Sequence, residues 1–266
     1  MLFTLAAFFL VLAPVSFDQA RASSAVIVAP SISDEPDPFD VNPRPSAEAP
    51  YARQAILTEG PATVSVAGLS IPPKAAKELK LSQKALAQGD TRVSIDHLER
   101  ALKIYPNIPF AHNSLGVRYT HLGDFDRALS EFRLASAADP KSAQVLHNLG
   151  TAYYLLGRFS EAEVALRAAL RLDASRLVSI YLLGNSLAMQ GRYTPEAGQL
   201  LRKCSDTFPS ARLMLAKILV GQGYPQDAAA ELREYLKAPD ADQKEDAARM
   251  LAKLEVVTPN HGPSEY

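Results

Sequence analysis

Histidine and cysteine are the side chains of this sequence with the greatest capacity for metal binding or nucleophilic catalysis. None of the histidines stands three or four residues from another, which is the spacing that places two metal ligands on one face of a helix. Cys204 is the only cysteine, so an internal disulfide is excluded. The sequence therefore predicts no metal site among its histidines, which are His97, His112, His121, His147 and His261.

A second candidate for chemistry is the segment 184–188, Gly-Asn-Ser-Leu-Ala, which resembles the Gly-x-Ser-x-Gly turn of hydrolases. It ends in alanine, however, and it lies in a helical pattern rather than between a strand and a helix. No glycine-rich phosphate loop or dinucleotide fingerprint is present. The 28 Lys and Arg residues nearly balance the 29 Asp and Glu residues, so the composition gives no electrostatic case for nucleic acid. We expect no catalytic residue, no cofactor and no nucleic-acid partner.

Glycine recurs at an interval of 34 residues, at Gly89, Gly123, Gly157 and Gly191, and each glycine ends an apolar stretch with helical periodicity. A fixed period of this length is typical of helical hairpins that stack into a solenoid, because one hairpin cannot bury its apolar face alone. The period therefore predicts an all-α fold.

Within each repeat a second glycine falls in the middle of the first helix, at Gly116, Gly150 and Gly184. Glycine in a helix interior costs about 0.5–1 kcal/mol relative to alanine, so its return in phase indicates a packing requirement. We predict that the partner helix approaches closely at these positions.

The end of the first helix and the start of the second are also marked in the sequence. Gly123 suits a left-handed residue that ends a helix, and Asp124 suits the N-cap of the next helix. Farther on, Ala128 and Phe132 share one helical stripe, and Pro140 ends it.

The motif Leu115-Gly116-x-x-Tyr119, followed by Gly123, Ala128, Phe132, Ala135 and Pro140, resembles the tetratricopeptide repeat. Tryptophan, which is common near the start of that repeat, is replaced by His112, Leu146 and Ile180. The resemblance implies an all-α, right-handed helical-hairpin solenoid. We assign about five units to residues 75–108, 109–142, 143–176, 177–208 and 209–241, then a capping helix at 242–255 and a disordered tail at 256–266.

The last units depart from the period. Pro209 to Gly223 spans 14 residues where Pro106 to Gly123 spans 17, so we expect the fifth unit's first helix to be about one turn shorter. We predict its two helices at 212–220 and 225–237. In the capping helix the apolar residues Ala248, Leu251 and Leu254 are expected to face the array. Cys204 occupies a position where other units carry alanine, which predicts a small buried residue.

The N-terminal region has a different character. Residues 1–17 contain no charged side chain and precede Ala20-Arg21-Ala22, which predicts a secretory signal peptide at 1–22 and an exported, periplasmic or secreted protein. The alternative is a membrane anchor formed by an uncleaved segment 1–17. Residues 23–72 form a Pro-rich, acidic linker that is expected to be mostly disordered. Within it, the apolar residues of 62–71 either lie on the first repeat or belong to a mobile tail.

In tetratricopeptide arrays the first helix of each pair lines a concave groove. Asparagine amides both donate and accept hydrogen bonds, so they can bind the main chain of an extended peptide, or alternatively face water or their own helix. The resemblance implies a protein or peptide partner in that groove. Projecting the repeat phase gives these candidate contacts: Gln83, Asn113, His147, Asn148, Thr151, Tyr154, Tyr181 and Asn185.

Some members of the family bind a terminal carboxylate with paired lysines and an asparagine. The matching positions here carry no lysine, so we do not expect such a clamp; they are Leu79, Gln83, Ser114, Gln144 and Asn148. The expected function is a non-catalytic protein-interaction scaffold of the cell envelope. An accessory subunit that docks an envelope enzyme or assembly machine is the alternative. A complete enzyme is disfavoured because no stretch remains for a catalytic domain.

Overall fold

The repeat array begins where the sequence changes from a proline-rich stretch to the 34-residue period. The computed structural model describes residues 71–239, 241 and 243–257, and the regular secondary structure within these ranges is entirely helical. The expected signal peptide, most of the linker and the tail beyond residue 257 lie outside the described residues. The helices are α1 (Pro73–Ala87), α2 (Thr91–Ile104), α3 (Pro109–His121), α4 (Phe125–Ala138), α5 (Ala143–Leu155), α6 (Phe159–Leu172), α7 (Leu177–Met189), α8 (Pro195–Cys204), α9 (Ser210–Gly221), α10 (Pro225–Lys237) and α11 (Lys244–Val257).

The helices pack as five hairpins followed by a single helix. Each odd-numbered helix from α1 to α9 packs against the helix that follows it, and α3, α5, α7 and α9 each pack against the second helix of the preceding hairpin. The first helices α3, α5, α7 and α9 also contact one another in sequence. The first helices therefore form one layer and the second helices form the other. The expected all-α solenoid is confirmed. Among the described residues, no helix has the length and apolar character needed to cross a bilayer.

The turn inside each hairpin is built as the sequence predicts. Gly123 has a φ of +78°, in the left-handed region that only glycine adopts without strain. The Asp124 carboxylate accepts a hydrogen bond from the backbone N–H of Arg127 at 3.1 Å, which caps the start of α4. The left-handed glycine and the aspartate cap are both confirmed.

The mid-helix glycines lie where the two helices of a hairpin touch. A Cβ atom added to Gly150 would lie 2.7 Å from Cγ of Leu166 and 3.3 Å from the backbone nitrogen of Leu166. A Cβ atom added to Gly116 would lie 2.5 Å from the ring of Phe132, and Gly184 meets a leucine in the same way. The predicted close approach of the partner helix is confirmed.

A polar pair replaces the family's tryptophan in three of the hairpins. Its two residues stand 19 positions apart and join the first helix to the second: Glu78 with His97, His112 with Glu131, and Arg212 with Glu231. In the second of these pairs, His112 Nδ1 lies 2.7 Å from Glu131 Oε2 and Nε2 lies 2.9 Å from the carbonyl oxygen of Pro106. Both ring nitrogens face acceptors, which favours the doubly protonated ring. The Glu131 hydrogen bond is the largest cause that raises the pKa of His112, and burial opposes it.

The His112 pair makes the stability of the protein depend on pH. A histidine whose pKa is raised on folding stabilises the folded state fully below its unfolded pKa, and this contribution is lost as the pH rises through the folded pKa. We expect His112→Gln to lower the free energy of unfolding by about 1 kcal/mol more at pH 5.5 than at pH 8.5. Urea unfolding of both proteins at the two pH values measures this difference. A larger loss at pH 8.5 would contradict the assignment.

His121 must be separated from this effect because it titrates in the opposite direction. Burial, and then the charge of Arg118, lower the pKa of His121, so its protonation destabilises the folded state at low pH. Comparing each variant with its own parent at the same pH removes this contribution, since His121 is present in both proteins.

The fifth hairpin and the capping helix differ from the sequence prediction. Helix α9 has 12 residues where α3 has 13, so the expected loss of a whole turn is wrong. The shortening falls on α8, which has 10 residues and ends at Cys204, where the backbone N–H groups of Thr207 and Phe208 both bond to the carbonyl of Cys204.

In α11 the buried residues are Ala247, Met250 and Leu254, whereas Ala248 is exposed and Leu251 is only half-buried. The predicted face was therefore wrong by about one residue. Spacings of three and four follow the helical repeat better than two spacings of three, because each step of three turns the stripe back by about 60°.

Candidate binding groove

The first helices α3, α5 and α7 carry most of the predicted groove residues, but they bury them more than expected. Gln83 on α1 is exposed, and Tyr154 and Tyr181 are half-buried. The buried candidates are Asn113, His147, Asn148, Thr151 and Asn185. The expected exposure is wrong for these five, and their contact with a ligand stays a prediction.

The physical reason is a chain of hydrogen bonds that crosses three repeats. Arg176 Nη1 donates to Gln144 Oε1 at 3.0 Å, and Gln144 Nε2 donates to Asn148 Oδ1 at 3.1 Å. Asn148 Nδ2 then donates to Asn113 Oδ1 at 2.9 Å. Because arginine can only donate, it fixes the orientation of each amide in turn. The amides therefore bond to neighbouring helices, which was neither of the alternatives considered from the sequence.

A second set of contacts joins α5 to α7. His147 Nδ1 lies 2.8 Å from Ser179 Oγ, and both residues are fully buried. The hydroxyl of Thr151 donates to the backbone carbonyl of His147 at 3.0 Å. These two candidates therefore contribute to the packing between consecutive first helices.

Tyr181 lies between α7 and α9. Its hydroxyl is 2.8 Å from Ser210 Oγ at the start of α9. Its ring stands 5.0 Å from that of Phe208, centroid to centroid, at an angle of 30°. The ring is half-buried, so part of it faces solvent while its hydroxyl is anchored.

Tyr154 is the second half-buried aromatic residue of this layer, and its ring packs edge-on against Phe159 at 5.6 Å. Burial is the main cause that raises the pKa of Tyr154, nearby Tyr181 raises it further, and a hydrogen bond with Asn185 opposes both. Asn185 is 2% exposed, and its Oδ1 atom has no hydrogen-bond partner. Tyr154, Tyr181 and Asn185 thus form a cluster that combines aromatic surface with a buried acceptor.

Charge is divided between the two layers. Helices α3, α5, α7 and α9 contain no aspartate or glutamate. The second helices that pair with them carry Asp126, Glu131, Glu161, Glu163, Glu196, Asp227, Glu231 and Glu234. The first-helix layer is therefore free of negative side chains from α3 onward.

The remaining candidate for chemistry, Cys204, is fully buried as predicted. Burial raises the pKa of its thiol to about 11, so the thiolate is scarce at neutral pH. Its sulfur lies 3.3 Å from the backbone carbonyls of Leu200 and Leu201. In the part of the chain that the structure describes, no group of three or more His, Cys, Asp or Glu side chains is placed to hold a metal ion.

Fold and site together define a helical-hairpin repeat protein whose first-helix layer presents polar and aromatic side chains. The chain belongs to the tetratricopeptide repeat family. Profiles of this family match residues 79–143, 119–183 and 209–234. No curated protein sequence matches the chain.

Solved structures with the same fold include the MamA protein, which is 21% identical, has a TM-score of 0.57 and covers 66% of this chain and 94% of its own. MamA 41-end from Desulfovibrio magneticus RS-1 is 18% identical with a TM-score of 0.58, covering 65% of this chain and 99% of its own. A tetratricopeptide repeat protein from Parabacteroides merdae ATCC 43184 is 18% identical with a TM-score of 0.56, covering 69% and 73%. At these identities the likeness establishes the fold.

Proposed function

We propose that this protein is a non-catalytic scaffold that binds a polypeptide segment along the layer formed by its first helices. The observation that carries the proposal is the cluster of Tyr154, Tyr181 and Asn185. Half-buried tyrosines with anchored hydroxyls are characteristic of protein interfaces, where a rigid ring provides contact area at low entropic cost. Proteins of the tetratricopeptide repeat family are typically scaffolds, which supports the same proposal.

The same proposal includes a place of action in the cell envelope. It is supported by the apolar, uncharged residues 1–17 and the small residues that follow them. Docking to an envelope enzyme or assembly machine is a narrower form of the function, for which the groove would hold the client. Sequencing the N-terminus of the protein recovered from each cell fraction tests the location: a protein that starts at Ser23 outside the cytoplasm supports it, and an intact Met1 in the cytoplasm contradicts it.

Photocrosslinking tests the binding surface. We would place a photoreactive phenylalanine at Gln83 or Met189, which belong to the first-helix layer, and at Arg133 or Val164 as matched positions on exposed sides of second helices. We expect crosslinks to a polypeptide from the first pair of positions and fewer from the second pair. Equal crosslinking from both layers, or crosslinks from Val164 alone, would place the interaction surface elsewhere.

Tyr181 should contribute strongly to affinity for a partner identified in this way. Loss of an aromatic anchor at an interface commonly costs about 2 kcal/mol or more, which is at least about thirtyfold in affinity. We therefore expect Tyr181→Ala to weaken binding by that factor in a calorimetric titration. Tyr181→Phe retains the ring and should bind within about threefold of wild type. Tyr224, which is exposed in the turn before α10, is the matched aromatic control. A similar loss for Tyr224→Ala would contradict a specific role of Tyr181.

A further inference from the structure

The charges of the first-helix layer indicate the chemistry of its ligand. We infer that this layer binds an acidic, extended segment of another protein, with carboxylates near both ends of the array and an apolar or aromatic centre. The inference rests on the proposed function, which it makes more specific. It is carried by the absence of Asp and Glu from α3, α5, α7 and α9, because a carboxylate placed on these helices meets no like charge on them.

The cations of this layer occupy positions that the repeat directs toward the ligand. Lys80 on α1 is exposed and stands 34 residues before Ser114 and 68 before Asn148, so it shares their repeat position. At the other end, Leu215 and Ala216 take the places of Leu183 and Gly184, so Lys217 shares the position of Asn185. Cations therefore mark the first and the last hairpin.

Arg118 adds a cation close to the first of these lysines. It shares its repeat position with Lys84, which is exposed on α1. Arg118 itself is 4% exposed, and burial lowers its pKa to about 10, so it remains charged at neutral pH. A charge in a poorly solvated site acts over a longer distance than one in water, because the local dielectric constant is lower. The end of the layer at α1 and α3 thus favours negative charge.

The middle of the layer is neutral. Between the two cationic ends lie the amides of Asn113 and Asn148 and the rings of Tyr154 and Tyr181, with no charged residue within helix α5. Such a surface suits main chain and apolar side chains better than further carboxylates. A polyanion with evenly spaced phosphates fits poorly, because nucleic-acid sites follow the backbone with a continuous series of cations.

Matched peptides test the proposal on the full-length protein. The probes are fluorescein-labelled (Asp-Phe-Ser)4, (Asn-Phe-Ser)4 and (Lys-Phe-Ser)4, which keep the aromatic residues constant and change only the charge. We expect fluorescence anisotropy to show that the Asp peptide binds about tenfold more tightly than the Asn peptide in 25 mM NaCl. The difference should shrink in 300 mM NaCl, because salt screens the exposed cations. The Lys peptide should bind most weakly.

Charge-neutralising variants locate the effect. Lys80→Gln with Lys217→Gln should weaken binding of the Asp peptide about tenfold and leave the Asn peptide unchanged. The control carries Lys103→Gln with Lys203→Gln, which removes the same charge from exposed sites on second helices and should bind like wild type. Equal melting temperatures of the two variants would confirm that the comparison concerns binding.

Several outcomes would overturn the inference. If the Asn peptide binds as tightly as the Asp peptide, the layer still binds polypeptide but does not select acidic ones, and the proposed function stands alone. Equal weakening by the control variant would show an unspecific effect of net charge. Tighter binding of a fluorescein-labelled dT12 oligonucleotide would identify a nucleic-acid surface. Failure of every peptide to bind, together with self-association in sedimentation or crosslinks to the protein's own N-terminal residues, would assign the layer to those occupants.

Discussion

Leucine in place of Gly150 is expected to destabilise the array by at least about 3 kcal/mol, at the upper end of what overpacking usually costs. The first carbon of any side chain at this position would already lie 2.7 Å from Cγ of Leu166 and 3.3 Å from its backbone nitrogen. A side-chain atom can move aside, but a backbone atom in the middle of α6 cannot move without separating the two helices. Thermal melting and urea unfolding measure the loss.

Gly198 provides a matched control for the effect of removing a mid-helix glycine. It also lies inside a helix, α8, but a Cβ atom added there would be 3.6 Å from Leu215, an ordinary van der Waals contact. Gly198→Ala should therefore be neutral or stabilise the protein by up to about 1 kcal/mol through helix propensity, whereas Gly150→Ala should destabilise it. Equal melting temperatures for the two alanine variants would mean that the close approach at Gly150 does not limit the packing.

Much of the fold could be predicted because each hairpin repeats the same local requirements. A left-handed glycine, an aspartate cap and a mid-helix glycine are all set by backbone geometry or by contact within one hairpin, so they are visible as residue types at fixed positions. The predictions failed where contacts between hairpins decide the outcome. The length of α9 depends on how α8 ends at Cys204, and the buried face of α11 depends on how that helix docks on α10. Neither leaves a residue signature of its own.

The polar residues of the first helices show the same limit. Asn113 and Asn148 were correctly placed on the first helices, but whether an amide faces a groove or a neighbouring helix depends on inter-repeat packing. One signal was present in the sequence: the two asparagines stand 35 residues apart, one more than the repeat, so they lie on facing sides of adjacent helices rather than at equivalent positions. Their hydrogen bond is the consequence.

This chain of amides has a consequence for the register of the array. Apolar contacts between first helices tolerate small shifts, whereas a hydrogen bond requires a defined distance and angle. A buried polar chain whose members are all satisfied can therefore select one arrangement of neighbouring repeats, at the risk of a large loss when one member is removed. Arg176, which can only donate, sets the direction of the chain at one end.

The variant Asn148→Ala is expected to reveal this role by lowering the free energy of unfolding by about 2–5 kcal/mol. Asn148 is fully buried and sits in the middle of the chain, so its removal breaks two hydrogen bonds at once. Asn113 Oδ1 loses its donor and Gln144 Nε2 loses its acceptor, and each buried group deprived of a partner costs about 1–3 kcal/mol. The sequence alone had suggested the opposite result, an asparagine that contacts a ligand and matters little for folding.

Asn185→Ala is the comparison that separates the two roles, because Asn185 is buried on the next first helix but its Oδ1 atom has no hydrogen-bond partner. We expect its removal to cost about 1 kcal/mol, clearly less than the loss at Asn148. Urea unfolding of both variants, followed by a titration of each folded protein with its partner, gives the two readouts. If Asn148→Ala unfolds like wild type but binds its partner at least tenfold more weakly, the amide acts at the ligand and the chain is not a stabilising element. If instead Asn148→Ala loses stability and Asn185→Ala loses affinity, α5 supports the array at this position while α7 contacts the ligand.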